Sequence, residues 1–220
     1  MSDDRRIPAG EVADWVRGFA GAVGEAKDEL TRLDSAIGDA DHGINMDRGM
    51  RAVVEKLDAE EPGDVPGLMR AVGMALISKV GGAGGPLYGT FFLQFGSAAG
   101  SGDLTPDVWV ACFEAGVAGV QARGKAEPED KTMVDALLPA AAAMRAGLGE
   151  GLSFPDLLAR AADAAEEGAR ATIPLVARKG RASYLGERSA GHQDPGATSS
   201  SMLVRCAART WAAESDGSED

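Results

Sequence analysis

Apolar residues recur at spacings of three and four along almost the whole chain. The first stripe runs through Val12, Trp15, Phe19, Val23, Ala26, Leu30, Leu33 and Ile37, which predicts one long amphipathic helix. A second helix is expected from near Asn45, carrying Met46, Met50, Val53 and Leu57. A third follows Asp64, a side chain suited to capping, and carries Leu68, Val72, Leu76 and Lys79. Gly85 and Pro86 open a fourth, with proline in its first turn. Thr105, Pro106 and Asp107 supply cap, first-turn proline and acidic N-terminus for a fifth, which stops near Gly124. Thr132 and Asp135 resemble a capping box for a sixth, in which Pro139 is expected to cause a kink or limit the first turns. Ser153 starts a seventh, through Leu157, Leu158, Ala161, Ala165 and Ala169, broken or bent at Pro174. Asp194 and Pro195 open an eighth, through Met202, Leu203, Cys206 and Trp211. No segment alternates as a strand does, so the fold class is all-α, with about eight antiparallel helices. Their Ala- and Gly-rich faces suit close packing in a bundle or a closed helical barrel.

The bulk composition narrows the picture. With 220 residues and 45% hydrophobic content, one domain over residues 1–213 is expected, followed by an acidic tail at 214–220 that should be disordered. A net charge of -12 with no basic stripe argues against nucleic acid and against an anionic membrane as partners. No run approaches the roughly 20 apolar residues of a membrane span. The opening residues lack a secretion signal, so a cytoplasmic location is expected. Cys112 and Cys206 lie far apart, each inside an apolar helical pattern, and read as core residues rather than a disulfide.

Chemistry gathers where the helical period lapses. Between Asp34 and Asn45, three aspartates fall at 34, 39 and 41, with Gly38 and Gly43 allowing the tight turns that would let them converge. Carboxylates crowded together repel unless a cation sits between them; an exposed acidic turn is the plain alternative. An EF-hand is excluded by count, because from Asp39 the sixth position is Ile44 and the twelfth is Met50. Magnesium shared with a phosphate-bearing ligand fits better, since that ion takes few protein carboxylates.

Three further segments interrupt the helices. Gly81 to Pro86 is a glycine-rich run feeding a helix N-terminus, a means of holding phosphate through backbone N–H groups, although a plain turn would look the same. The polar stretch from Arg123 to Met133 contains a decoy: Gly119 to Lys125 fits a Walker A spacing, but Ala126 stands where Ser or Thr would hold magnesium. Arg178 to Gly196 is long, basic and glycine-punctuated, offering Arg178, Lys179, Arg181 and Arg188 to a phosphate, or forming a solvated loop. The chain's two histidines, His42 and His192, both lie in these segments. No catalytic triad, nucleophile elbow, dinucleotide fingerprint or zinc motif is present. Metal, phosphate cradle and arginines together fit phosphoryl transfer.

The strings Ile-Gly-Asp-Ala-Asp-His-Gly (37 to 43), Gly-Pro-Leu-Tyr-Gly-Thr (85 to 90) and Asp-Lys-Thr-Met (130 to 133), then Lys-Gly-Arg-Ala-Ser-Tyr-Leu-Gly-Glu-Arg-Ser (179 to 189) and Gly-His-Gln-Asp-Pro-Gly-Ala-Thr-Ser (191 to 199), occur in this order. Together they closely resemble the nucleotide-binding L subunits of dihydroxyacetone (glycerone) kinases, the DhaL family. The resemblance implies an eight-helix barrel that holds ADP or ATP through two magnesium ions at one end. It implies Asp34, Asp39 and Asp41 as metal ligands. It also implies nucleotide contacts at His42, Gly43, Ile44, Asn45, Ala83, Gly84, Gly124, Met133, Arg181, Asp194, Pro195 and Gly196. Arg181 is the candidate phosphate stabiliser, and no residue of this chain is assigned as catalytic. In the bacterial phosphotransferase version, a phosphohistidine carrier protein recharges the nucleotide. The phosphoryl group then passes to dihydroxyacetone held on a separate K subunit.

Two positions depart from the family pattern: Gly84 replaces a serine, and Glu129 replaces a glycine. The resemblance also leaves room for a free-ATP kinase subunit acting on another small ketose, or for a regulatory module whose nucleotide state is read by a transcription factor.

Overall fold

Four of the expected helix starts are fixed by side-chain caps. Asp64 accepts from the Gly67 N–H at 2.8 Å, Thr105 from Val108 at 3.4 Å, Ser153 from Asp156 at 3.3 Å and Asp194 from Ala197 at 2.7 Å. Each satisfies a first-turn amide that has no partner within its own helix. In all four a proline occupies one of the first two helical positions, where its missing N–H costs nothing.

The computed structural model describes residues 5–59 and 63–212. Among the described residues are nine α-helices and one 3-10 segment, and the single bridge, Ile7 with Leu104, forms no sheet. The helices are α1 (Ala9–Glu25), α2 (Lys27–Ile37), α3 (His42–Ala59), α4 (Val65–Lys79), α5 (Gly84–Ala98), α6 (Pro106–Gly124), α7 (Val134–Glu150), α8 (Phe154–Ala171) and α9 (Pro195–Thr210). The 3-10 segment spans Arg181–Ser189. No described helix is long and apolar enough to cross a membrane. The expected acidic tail at 214–220 lies outside the described residues.

Three expectations need correction. The long first helix is two, broken at Ala26 (φ -90°, ψ 6°). The break preserves the stripe, because the Ala26 N–H still bonds Ala22 and the Leu30 N–H bonds Ala26, so apolar spacing could not reveal it. The next helix starts at His42, three residues before Asn45, because Asp34 receives the amides of Asp41 and His42 and starts the turn early. Pro139 does not limit the first turns of α7, which runs through it from Val134 to Glu150. Its missing N–H would have bonded the Asp135 carbonyl, and Gly168 of α8 packs its bare Cα against that oxygen instead.

Neighbouring helices pack in sequence from α3 through α9, and α9 returns to pack on α1. The two ends of the molecule differ. At one, Trp15, Phe95, Trp109, Phe154 and Trp211 interlock with ring centroids 5.5–6.2 Å apart, closing the core with apolar surface. These rings stand near the starts of α6 and α8 and the ends of α5 and α9. The opposite end therefore collects the starts of α3, α5, α7 and α9 with the ends of α2, α4, α6 and α8, and a cavity of about 690 Å³ opens there. Cys112 and Cys206 are buried and unpaired, and burial pushes their thiols up to about 12 and about 11.

Candidate metal and nucleotide cleft

All four irregular segments reach this one cavity. Asp34 comes from the last turn of α2, and Asp39 and Asp41 come from the four-residue link to α3. One carboxylate oxygen from each lies within 4.8 Å of the others. Gly38 makes this possible, because a Cβ there would overlap the Asp34 carboxylate. One Asp34 oxygen accepts from the Asp41 and His42 amides at 2.8 and 3.2 Å, leaving the other uncommitted to them. Asp39 faces the Arg181 guanidinium at 3.1 Å. Three hard oxygen donors at this spacing suit a divalent cation whose shell is completed by phosphate and water.

Opposite the carboxylates, Gly81 to Gly84 leads into α5, and Gly85 packs so tightly on the Val80 and Leu76 carbonyls that a side chain would not fit. The N-terminus of α5 faces the cavity, as do those of α3 and α9. Each turns a positive dipole end toward an anion in the cavity. Arg123, Arg178, Lys179 and Arg181 line the same space.

Beneath the cleft, a hydroxyl network joins three helices. His42 Nε2 of α3 lies 2.9 Å from Ser199 Oγ of α9, and the Tyr88 hydroxyl of α5 lies 2.7 Å from the same oxygen and 3.1 Å from Ser200 Oγ. Burial pulls the His42 pKa below its ordinary value, with Asp34 and Asp41 opposing. Burial also pushes Tyr88 up to about 12. Both side chains therefore serve as neutral hydrogen-bonding groups that fix where the helices begin.

Comparison with known proteins places the chain in a family. The sequence pattern of the DAK2 domain matches residues 36–209. The chain belongs to the DAK2 domain family. It is 46% identical over 196 residues to the ADP-binding subunit DhaL of the PEP-dependent dihydroxyacetone kinase of Escherichia coli K12, covering 89% of this chain and 93% of that protein. It is 42% identical to the ADP-binding subunit DhaL of the PTS-dependent dihydroxyacetone kinase of Lactococcus lactis IL1403, covering 86% and 91%. The crystal structure of the C. freundii dihydroxyacetone kinase in complex with AMP-PNP and Mg2+ matches with a TM-score of 0.70 and 26% identity, over 95% of this chain and 34% of that one. The chain thus spans about a third of that larger kinase.

In this DAK2 domain, Asp34, Asp39, Asp41, His42, Asn45, Ala83, Gly84, Gly124, Met133, Arg181, Asp194, Pro195 and Gly196 all line the cavity. Gly43 and Ile44 do not: Gly43 packs on α2, and the Ile44 side chain is exposed. His192 is exposed and outside the lining, and so is Arg188. Of the two departures from the family pattern, Glu129 adopts φ +68°, which explains why glycine suits that position. Tyr88, Ser199 and Lys131 lie inside the strings that carry the family resemblance but drew no role of their own, because their partners stand on other helices and loops.

Asp194 carries a test. Burial pushes its carboxyl up to about 7, with Asp135 and Asp34 adding repulsion and the Ala197 N–H and Lys131 opposing. An unfolded aspartate titrates near pH 4, so between about pH 4 and 7 the folded state binds more proton. This group's contribution to stability therefore falls as pH rises through that window. Asp194→Asn keeps a cap acceptor but cannot titrate. Its stability relative to wild type should rise by on the order of 2–4 kcal/mol between pH 4 and pH 8, measured by urea unfolding. A difference that stays constant with pH would remove Asp194 as the cause.

Proposed function

We propose that this chain is the ADP- and ATP-binding subunit of a dihydroxyacetone kinase, working with a dihydroxyacetone-binding K subunit and a phosphohistidine carrier that recharges the nucleotide. The convergence of Asp34, Asp39 and Asp41 with the starts of α3, α5 and α9 around one cavity carries this reading. Asp34, Asp39 and Asp41 would hold two magnesium ions, which supply charge neutralisation for the transferred phosphoryl group. The amides at 83–85 and that of Gly196 would donate to phosphate oxygens, and Arg181, already at the carboxylates, would stabilise phosphate charge. His42 and Asn45 hold the first turn of α3 against α9 and the glycine loop. The relatives that this chain matches over nearly their whole length are named as ADP-binding subunits of PEP- or PTS-dependent kinases, which favours a carrier over free ATP as donor.

Reconstitution tests the proposal. Label from phosphoenolpyruvate should reach dihydroxyacetone only when this chain, a K subunit and the phosphohistidine carrier system are all present. Many turnovers on free ATP without the carrier would instead favour the ATP-dependent alternative.

A further inference from the structure

Lys131 is a charged side chain with 1% exposure. No carboxylate lies within bonding distance of its ammonium among the described contacts. Instead it donates to four main-chain carbonyls: His192 at 2.6 Å, Thr172 at 2.9 Å, Leu175 at 3.1 Å and Ile173 at 3.4 Å. An ammonium has three N–H donors, so the three nearer oxygens are satisfied and Ile173 shares one of them. The residue reaches this position through a left-handed backbone, φ +64°, which disfavours any residue with a side chain. Such strain persists only where the surroundings fix it.

The four carbonyls belong to two segments, and Lys131 belongs to a third. Other ties also join these parts of the chain: the buried Ala136, Ala169 and Ala197 side chains pack together close by, and the Arg178 guanidinium faces Asp130 at 3.7 Å. The Arg178 N–H bonds the Asp130 carbonyl at 3.1 Å, the Gly191 N–H bonds Ile173 at 2.7 Å, and the Asp194 N–H bonds the Thr172 hydroxyl at 3.0 Å. The segments end on facing parts of the cleft. Two residues beyond Lys131 stands Met133, and two beyond His192 stand Asp194, Pro195 and Gly196 in succession. Gly196 abuts Met133, whose N would lie 3.6 Å from a Cβ placed on the glycine. The Lys131 cage therefore adds, to the alanine packing and the Gly196 contact, a polar tie that bears on the relative placement of Met133 and the α9 N-terminus.

We infer that Lys131 is a positioning residue for the nucleotide cleft, its ammonium serving as a built-in monovalent cation that clamps two loops, through their carbonyls, to its own. The inference rests on the nucleotide-binding reading above. Rings of carbonyl oxygens are also how proteins hold potassium, so the cage should accept a free cation when the lysine is removed.

Two variants and one measurement on the unaltered protein test this. In Lys131→Ala, affinity for magnesium-ADP, measured by calorimetry, should fall about tenfold or more through misplacement of the cleft walls. Ammonium or potassium should restore most of it, while lithium at equal ionic strength should not. In Lys131→Met, which fills the cage with an apolar chain, the loss should persist in every salt. Full affinity in Lys131→Ala, or a loss that ammonium and potassium leave unchanged, would overturn the inference. Failure of the wild-type protein to bind magnesium-ADP would overturn the nucleotide reading instead. If neither variant folds, the wild-type ammonium protons decide. The Lys131 resonance should exchange with water far more slowly than those of exposed lysines and shift on adding magnesium-ADP. Exchange as fast as the exposed lysines overturns the clamp.

Discussion

Asp39→Asn should abolish the rise in melting temperature that magnesium and ADP give the wild-type chain. A ligand at about 100 times its dissociation constant stabilises the folded state by about 2.7 kcal/mol. For a domain of this size each kcal/mol moves the melting point by about 2–4 °C, so the wild-type shift should be about 5–10 °C. Asp39 is one of the three carboxylates whose oxygens lie within 4.8 Å, and asparagine removes its charge while keeping its shape. The metal-free variant should melt close to wild type. It loses an exposed pair with Arg181, worth about 0–1 kcal/mol, and gains relief from carboxylate repulsion. Asp47→Asn makes the same charge change on α3, where Asp47 pairs with Arg51 outside the cluster, and should keep the full ligand shift. Thermal melts of the three proteins with and without magnesium-ADP decide the matter. An Asp39→Asn chain that keeps its shift would remove Asp39 from the metal site.

The helix starts were legible in sequence because a cap is a local device. Asp64, Thr105, Ser153 and Asp194 act on amides three residues ahead, within reach of any short reading window. The break at Ala26 was not legible, since the apolar stripe continues through it in register. The same division holds at the cleft. Three aspartates within eight residues announce a cation, and glycines before a helix announce an anion. That they face one cavity depends on alternating helix direction, which follows from short connections between antiparallel neighbours.

Lys131 and Ser199 escaped because their partners are 41 or more residues away in sequence. Moreover, the Lys131 partners are carbonyl groups, which every residue has and no motif records. A buried ammonium satisfied by backbone leaves no signature in side-chain composition. Glu129 is an intermediate case: its departure from the family's glycine was visible, but its left-handed backbone, and the N–H it donates to Asp135, were not.

Gly43→Ala should destabilise the chain by about 2–4 kcal/mol, lowering the melting point by on the order of 10 °C. The residue sits in the first turn of α3, where alanine would ordinarily be the better helix former by about 1 kcal/mol. Here the added Cβ would overlap the Lys27 carbonyl and come within 2.8 Å of the Thr31 N and 2.6 Å of its Oγ. Two of those three atoms are backbone in α2, and the Lys27 oxygen already accepts from the Thr31 hydroxyl at 2.8 Å, so no side chain can swing aside. Relief requires α3 to move off α2, carrying with it the Asp41 and His42 amides that orient Asp34. Magnesium-ADP stabilisation should therefore shrink together with the metal-free melting point. Gly21→Ala in α1 is the control, because a Cβ there meets nothing within 4 Å and should stabilise by about 0.5–1 kcal/mol. The pair separates two roles for Gly43. A residue that only touches nucleotide would weaken ligand binding while leaving the metal-free melt at its wild-type value. A glycine that sets the spacing of α2 and α3 lowers both.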